Sequence, residues 1–297
     1  MEIIEKITQV RSVMTKSNLP VADYSVNPYT GCAHGCRYCY ASFMKRFTNH
    51  PEPWGSFVDV KYWPEIRHPE RYAGKEFFIG SVTDPYQECE RVYQRTRKFL
   101  SEMQGSGCRI SIATKSDLVL RDIDLIKTFP DARVSFSINT LDEIFRRAMD
   151  NSVSIERKIA AMEEFHKEGI RTTCFISPIF PGLTDCKAII KECKDKCNLI
   201  WLENLNLRGD YKSVILGYIE MNHPELAPLY DEIYRRKRRD YWFHLDEEMK
   251  DFCRAEGLDY IRNDDSMTRP FEAPPVVVNY FFHEEVKRNA TKQDSLA

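Results

Sequence analysis

The stretch DYSVNPYTGCAHGCRYCYA, residues 23–41, joins a predicted strand to a loop that carries three cysteines. The strand covers residues 24–29. The cysteines follow at positions 32, 36 and 39, with the spacing C-x3-C-x2-C. In parallel α/β folds, functional residues lie in the loops that follow the carboxyl ends of the strands. This loop is therefore predicted to lie on the face of the fold where catalysis takes place.

The segments that follow this loop alternate between strands and helices. Five further apolar stretches are predicted strands, namely residues 76–81, 109–114, 133–138, 171–177 and 199–204. Helical patterns lie between them, in residues 91–103, 117–129, 154–169 and 184–197. Thr184 is a plausible N-cap for the last of these helices. Strands that alternate with helices in this way indicate a parallel α/β barrel or a doubly wound sheet.

The pattern changes after about residue 210, where helical stretches dominate (residues 225–243 and 246–257) before a short predicted strand at 258–262. We therefore expect a core domain over residues 1–210 and a helical C-terminal extension over residues 211–297. The basic run RRKRR, residues 235–239, lies in a helical stretch that begins with acidic residues. This favours a solvated face or a site for an acidic partner over a phosphate-binding site.

Composition excludes several classes of protein. The chain has 297 residues, of which 42% are hydrophobic and 30% charged, so it can bury a core and is not of the disordered class. Its net charge of −2 gives no general attraction to nucleic acid or to an anionic membrane. No apolar run approaches the roughly 18 residues of a membrane span, and the first residues lack the apolar region of a signal peptide. We therefore expect a cytoplasmic protein with no membrane partner, whose ten cysteines are reduced.

Three closely spaced thiolates favour a metal site. Soft sulfur ligands select iron–sulfur clusters, zinc or copper(I). A structural zinc ion wants four protein ligands, so a zinc site here would need His34 or a distant residue as the fourth. In a four-iron cluster, three thiolates leave one iron without a protein ligand. The residues alone leave both alternatives open. Cys186, Cys193 and Cys197 share one face of a predicted helix and could form a second site, or they are small buried apolar residues.

The C-x3-C-x2-C motif, with an aromatic residue before its last cysteine, resembles that of the radical S-adenosylmethionine (radical SAM) superfamily. Residues 23–41 are similar to the branch that contains spore photoproduct lyase. SVTDPYQ (81–87) and ISPIFPGLTD (176–185) also resemble that branch, in the same order. The resemblance covers roughly residues 15–210. It implies a partial (β/α)6 barrel of the radical SAM type, with a helical C-terminal extension.

The resemblance also implies a reaction and its cofactors. Cys32, Cys36 and Cys39 would hold a [4Fe–4S] cluster whose fourth iron binds the amino and carboxylate groups of S-adenosylmethionine (SAM). An electron donor such as flavodoxin or ferredoxin would supply the electron that cleaves SAM. The resulting 5′-deoxyadenosyl radical would abstract hydrogen from an unidentified substrate, for which nucleic acid is not favoured.

Several other residues match positions that bind SAM in the family. Tyr38 would lie near the adenine. Alternatively, it is a tyrosine of the hydrophobic core with no role in SAM binding. Ser81, Thr83 and Asp84 would contact the SAM amino group, unless they cap a helix. Ser137 and Asn139 would contact the ribose. Arg157 would pair with the SAM carboxylate, unless it is a surface arginine, and the backbone at Ile179 and Pro181 would read the adenine edge.

Two residues are candidates for the radical chemistry itself. Tyr38 and Tyr40 match a tyrosine pair that spore photoproduct lyases use in radical return, which makes Tyr40 a catalytic candidate. Those lyases return hydrogen from a cysteine just before the stretch that corresponds to 81–87. Ser81 and Val82 stand there in this chain, and the nearest thiol is that of Cys89. DNA photoproduct repair is therefore an alternative that is not favoured, and a non-catalytic iron–sulfur or zinc protein is another.

Overall fold

The computed structural model describes residues 3–17, 22–262 and 277–281. The chain divides into two compact units. One consists of Met1–Ser137 and Asp142–Thr173, and the other of Ile138–Leu141 and Cys174–Ala297. The boundary expected near residue 210 remains a prediction from the sequence.

The first unit contains two sheets and five α-helices in its described part. Its strands are β1 (Ile4–Gln9), β2 (Met14–Lys16), β3 (Tyr24–Val26), β4 (Tyr29–Thr30), β5 (Phe57–Tyr62), β6 (Glu76–Ile79), β7 (Arg109–Thr114) and β8 (Ala132–Ser137). Its helices are α1 (Glu90–Tyr93), α2 (Arg95–Met103), α3 (Ile123–Ile126), α4 (Glu143–Met149) and α5 (Ile155–Lys167). Short 3-10 helices cover Tyr40–Phe47, Pro69–Tyr72 and Asp117–Asp122.

The larger sheet of this unit runs in the order β2-β3-β6-β7-β8. The neighbours from β3 to β8 pair in parallel, and β2 pairs with β3 in the antiparallel direction. A smaller sheet has the order β1-β5-β4. Buried and half-buried residues alternate along β7 and β8, which places Val134 and Phe136 in the core. The ring of Phe136 lies 6.0 Å from that of Phe165, so α5 packs against β8.

The second unit contains the remaining strands and helices. They are β9 (Arg171–Ile179, which begins in the first unit), β10 (Leu199–Asn204), β11 (Asp259–Arg262), β12 (Val277–Phe281), α6 (Cys186–Cys193), α7 (Tyr211–Asn222), α8 (Ala227–Tyr230) and α9 (Asp240–Ala255). The strand order is β9-β10-β12-β11, and β12 pairs in parallel with both β10 and β11.

The helix at 184–197 begins later than the sequence predicts, and Thr184 does not cap it. The side chain of Asp185 accepts a hydrogen bond from the Ala188 amide at 2.9 Å and is the N-cap. The Thr184 hydroxyl instead accepts from the Phe180 amide and donates to the Asn139 carbonyl, each at 2.9 Å. A carboxylate at the N-cap also interacts favourably with the helix dipole.

The predicted α/β class is confirmed, since parallel strands alternate with helices along the first unit. Four of the described strands were not predicted, namely β1, β2, β5 and β12. β1 and β2 are short and largely exposed, and β5 lies between the cysteine loop and residue 76, where no strand is predicted from the sequence. None of the described helices is long and apolar enough to cross a membrane.

Gly31 fixes the point where β4 turns into the cysteine loop. Its φ is +92°, in the left-handed region that only glycine adopts readily. A Cβ atom at this position would lie 2.2 Å from the carbonyl oxygen of Phe57, the first residue of β5. The cysteine loop therefore starts in direct contact with the smaller sheet.

Gly31→Ala is expected to lower the free energy of unfolding by about 2–5 kcal/mol. The left-handed backbone accounts for roughly 1–2 kcal/mol, and overlap with the Phe57 carbonyl for a further 1–3 kcal/mol. Gly74→Ala is the matched control, because Gly74 has a φ of +71° but no atom within 4 Å of an added Cβ. Urea unfolding measures both variants. Equal losses in the two would show that the close approach to β5 carries no cost.

Candidate metal and cofactor site

The three cysteines of the motif lie on one short loop of the first unit, between β4 and the 3-10 helix Tyr40–Phe47. All three are half-buried. The loop contains two tight turns, in which the Gly35 amide donates to the Cys32 carbonyl (3.2 Å) and the Cys39 amide donates to the Cys36 carbonyl (3.1 Å). Gly35 has a φ of +54°. A Cβ atom added to Gly55 would lie 2.8 Å from the Cα atom of Gly35. The thiols are thus presented on a compact backbone.

Side chains that follow β6 hold the start of this loop. The Thr83 hydroxyl donates to the Gly31 carbonyl at 2.6 Å. The Ala33 amide donates to the side-chain oxygen of Gln87 at 2.8 Å, and the Gln87 amide nitrogen donates to the Thr83 hydroxyl at 3.1 Å. Thr83 and Gln87 are both buried. They replace the hydrogen bonds that the loop backbone would otherwise make with water.

Asp84 connects the cysteine loop to the ends of two strands. One carboxylate oxygen lies 3.0 Å from His34 Nε2 and accepts from the Lys115 amide at 2.6 Å. The other accepts from the Thr114 hydroxyl at 2.7 Å and from the Tyr86 amide at 2.9 Å. Burial alone would raise the pKa of Asp84, but His34 and these donors outweigh it, and the pKa lies below its usual value. Asp84 is therefore ionised and fully hydrogen-bonded.

The other side of the loop is tied to the segment that follows α4. The Asn151 amide donates to the His34 carbonyl at 2.8 Å, and the Arg37 amide donates to the Met149 carbonyl at 2.9 Å. The Tyr38 hydroxyl donates to Asp150 at 2.9 Å.

The surroundings of Tyr38 carry both signs of charge. The Lys115 ammonium lies 5.6 Å from the centre of the Tyr38 ring. Burial opposes ionisation of Asp150, but Lys158, Lys115 and the hydrogen bonds from Ser152 prevail and lower its pKa. Burial dominates at Lys158 and lowers its pKa to about 8. Tyr38 is itself buried, with its hydroxyl held by an ionised carboxylate.

The donor set fits a cluster that needs three thiolates. Burial raises the pKa of the thiols of Cys32, Cys36 and Cys39, so metal binding there must displace protons. Lys115 acts in the opposite direction on Cys36 and Cys39, and Trp54 hydrogen-bonds to the Cys39 thiol. Across the described residues, no three His, Cys, Asp or Glu side chains converge to hold a single ion. In a cubane each thiolate ligates its own iron, so its ligands need not converge on one point.

Besides Tyr38, five of the predicted SAM contacts lie in the first unit. The side-chain oxygens of Thr83 and Asp84 bind the cysteine loop. Ser81 is half-buried, and its hydroxyl accepts from the Asn27 amide nitrogen at 2.9 Å. Arg157 forms a two-point ion pair with Asp117, with N–O distances of 2.7 and 2.8 Å. Ser137 is half-buried at the last residue of β8.

The remaining SAM candidates lie in the second unit. Asn139 is buried, and its amide nitrogen donates to the Pro178 carbonyl at 3.5 Å. Ile179 is buried, and its carbonyl accepts from the Leu205 amide at 3.2 Å. Pro181 is also buried. Within the first unit, the structure thus joins the cysteine loop to residues 81–84.

The two candidates for radical chemistry have contrasting surroundings. Tyr40 is 60% exposed, and its hydroxyl donates to the Ser81 carbonyl. Cys89 is only 6% exposed and packs in an apolar cluster with Tyr29, Val58 and Val60. Burial raises the pKa of the Cys89 thiol. Cys89 is therefore a packed, protonated thiol, whereas Tyr40 meets solvent.

The cysteines of α6 lie deep in the second unit. Cys186, Cys193 and Cys197 are each at most 3% exposed. The thiols of Cys174 and Cys193 are hydrogen-bonded to each other, and the Cys197 thiol donates to the Cys193 carbonyl at 3.2 Å. These contacts are those of small apolar residues with weak S–H donors. A second cluster at these thiols remains an untested alternative.

Sequence reasoning missed several residues that shape the site. Gln87 lies within the stretch 81–87 that carried the resemblance, and Lys115 directly follows β7, so both had a positional signal. Asp150 and Trp54 had no such signal in the sequence, because only the tertiary structure brings them next to the loop.

Asp84→Asn is expected to lower the free energy of unfolding of the metal-free chain by about 3 kcal/mol or more. An amide nitrogen would face the backbone N–H donors, and hydrogen bonds to a charged acceptor are worth about 1.5–3 kcal/mol each. Asp124→Asn, at an exposed position of α3, is the control and should cost at most about 0.5 kcal/mol. Denaturant unfolding compares the two, and similar small losses would contradict the role of Asp84.

Comparison with known sequences places this chain among related proteins. The sequence model of the radical SAM superfamily matches residues 26–192. An uncharacterized protein of Methanocaldococcus jannaschii is 36% identical over 219 residues, which are 73% of this chain and 83% of that protein. The radical SAM Nα-GlyT isomerase of Pseudomonas phage M6 is 27% identical over 161 residues, which are 52% of this chain and 33% of that protein.

A solved structure of spore photoproduct lyase, complexed with dinucleoside spore photoproduct, shares the fold with a TM-score of 0.54 at 16% identity. The match covers 74% of this chain and 66% of that one. The expected fold class, α/β of the radical SAM type with a helical C-terminal region, is therefore confirmed. Since the family match spans more than half of the sequence and includes the cysteine loop, the chain belongs to the radical SAM superfamily.

Proposed function

We propose that the chain is a radical SAM enzyme that abstracts hydrogen from its substrate with a 5′-deoxyadenosyl radical. Cys32, Cys36 and Cys39 hold a [4Fe–4S] cluster in this proposal. The observation that carries it is the loop itself, whose three half-buried thiols lie beside a backbone carbonyl bound by Thr83 and a His34 side chain bound by Asp84. Superfamily membership supports the same cofactors.

The cluster, with SAM at its open iron and an electron from a donor such as flavodoxin or ferredoxin, would supply the reductive cleavage of SAM. The work of the chain is to place ligands and to fix their surroundings. The Asp84 hydrogen bonds hold the loop in one shape, so little reorganisation is needed when ligands bind. Lys115, beside Cys36 and Cys39, supplies a positive charge that favours their thiolate forms.

The residues proposed to contact SAM differ in whether their side chains are available to bind it. Ser81 is half-buried and has a hydroxyl close to the loop, which suits an ammonium group. Thr83 and Asp84 act through the loop backbone and His34, so we assign them a positioning role. Arg157 would bind the SAM carboxylate only by exchanging its present partner, Asp117. Asn139, Ser137 and Ile179 stay proposed contacts for the ribose and the adenine.

The second candidate is a non-catalytic metal protein. It is favoured only because three thiols alone do not distinguish a zinc site from an iron–sulfur cluster. Anaerobic reconstitution followed by visible spectroscopy separates the two. A broad visible absorption that bleaches with dithionite indicates an iron–sulfur cluster, and a colourless protein that contains zinc would overturn the proposal.

Replacing any one of Cys32, Cys36 and Cys39 by Ala should remove most of the iron. Each thiolate terminates a different iron of the cubane, so no other ligand of the loop can substitute for it. Iron and sulfide are quantified after reconstitution. Cys253→Ala is the matched control, a buried cysteine of α9 whose loss should leave about four irons per chain. Full iron content in any of the three loop variants would contradict the assignment.

The reconstituted chain should also cleave SAM slowly without its substrate. Three protein ligands leave one iron free for SAM, so 5′-deoxyadenosine is expected with dithionite under anaerobic conditions. Chromatography quantifies the product. SAM binding is measured separately, from a change in the EPR signal of the reduced cluster. Neither product nor an EPR change in a fully loaded protein would count against the radical mechanism.

Efficient repair of spore photoproduct is not expected. The final thymine radical needs hydrogen from a weak bond, such as a thiol S–H. Ser81 and Val82 stand where the lyases carry that cysteine, and Cys89 packs in an apolar cluster. A turnover assay on the dinucleotide photoproduct, with a Ser81→Cys variant alongside, measures this. Multiple clean turnovers by the unmodified chain would reject the expectation, and their loss in Cys89→Ala would then identify Cys89 as the donor.

A further inference from the structure

A cavity of about 150 Å³ in the first unit lies next to the cysteine loop. The polar residues of its lining include Asn27, Thr30 and Lys61. The apolar residues of its lining include Met44 and Trp54. A small cavity with an apolar wall and a few convergent polar groups is typical of a ligand site.

Among the described residues that line this cavity, Lys61 alone carries a charged side chain. It donates to the Asn27 carbonyl at 3.0 Å, and no other described residue, in 3–17, 22–262 or 277–281, offers it an acceptor. An ammonium has three N–H donors. Burial lowers the pKa of Lys61 and the Asp59 carboxylate only partly opposes that shift, but an oxygen of Asp59 is bound to His50 Nε2 at 3.0 Å. Lys61 thus has donor capacity left over for a ligand.

The position of Lys61 along the strand explains why its ammonium is fixed. It belongs to β5, and its backbone amide donates to the Pro28 carbonyl at 3.1 Å. Backbone and side chain therefore both bind the segment 27–28. Burial lowers the pKa of Lys61 to about 8, because removing its charge from water is unfavourable. A bound anion would offset part of that cost.

The wall of the cavity favours a carboxylate. It contains one cation, whereas a phosphate dianion is usually bound by several cationic or N–H donors. The hydroxyl of Thr30 has no partner among the described residues, so it and Lys61 can serve the two oxygens of one carboxylate. The apolar wall suits a compact hydrocarbon body. A cavity of about 150 Å³ is large enough for a molecule of benzene's size.

The cavity is coupled to the cysteine loop through its lining. Thr30 directly precedes Gly31, and Met44 lies in the 3-10 helix that follows Cys39. Trp54 hydrogen-bonds to the Cys39 thiol. The side chain of Asn27 binds both Ser81 and the Val82 amide, at 2.9 and 3.0 Å. A group bound here would therefore lie against the residues proposed to hold the cluster and SAM.

We propose that this cavity binds a carboxylate carried on a short apolar body, with Lys61 and Thr30 as its donors, and that this carboxylate anchors the substrate. The binding itself needs no cluster. Its assignment to the substrate rests on the proposed radical function.

The test is saturation-transfer NMR on the full chain without metal, with 3-methylbutanoate as the probe. Its neutral amide and inorganic phosphate are compared at the same concentrations. The acid should bind saturably, and at least about tenfold more tightly than the amide, because a charge-assisted hydrogen bond is lost in the amide. Absence of saturable binding, equal binding of acid and amide, or tighter binding of phosphate would overturn the proposal.

Lys61→Gln should weaken binding of the acid by about tenfold or more, since it removes the charge but keeps a donor for the Asn27 carbonyl. Lys6→Gln, at an exposed position of β1, should leave binding unchanged. Equal affinity in a folded Lys61→Gln protein would overturn the proposal. If that variant fails to fold, the comparison of acid with amide still decides. Acid binding with neither 5′-deoxyadenosine formation nor a SAM-induced EPR change in the loaded enzyme would keep the site and reject the radical function, so the two failures are distinguishable.

Discussion

The buried carboxylate of Asp84 is the constraint on which the candidate site depends. An ionised group with 6% exposure is tolerated only when its lone pairs are occupied, and four donors occupy them. Those donors come from the cysteine loop, from the segment after β6 and from the end of β7. A single side chain therefore sets the distance between three parts of the first unit.

The rest of the loop is restrained by contacts that act independently of Asp84. Thr83 and Gln87 bind its first backbone groups, and the segment after α4 binds the backbone at His34 and Arg37. Gly31 adds a steric restraint, since only a residue without a Cβ can stand so close to β5. Ligands that are restrained from several sides bind a metal with less loss of entropy.

Charge is distributed locally rather than globally. The net charge is −2, yet Lys61, Lys115 and Lys158 all lie near the loop or the groups that support it. The basic run at 235–239 has a different character, because Arg235 and Arg236 pair with acidic side chains on an exposed face. The basic groups that matter for the proposed chemistry are therefore isolated ones, which no count of charges along the sequence identifies.

The sequence by itself determined the α/β class and the place of the cysteine loop after a strand. Both follow from local patterns, namely apolar runs, helical periodicity and the spacing of three thiols. It did not predict β1, β2, β5 and β12, which are short or polar and whose pairing depends on residues distant in the chain. It predicted Thr83, Asp84 and Arg157 as ligand contacts, with a helix cap as the alternative for Thr83 and Asp84 and a surface arginine as the alternative for Arg157.

Only the tertiary structure decided what those side chains bind. Thr83 and Asp84 hold the loop, and Arg157 is paired with Asp117. Likewise, the cavity beside Lys61 is assembled from segments between residues 10 and 82 that share no sequence signal. A residue type and its position after a strand show what a side chain is able to bind. The partner it binds depends on which groups the fold brings within hydrogen-bonding distance, and that is a property of packing.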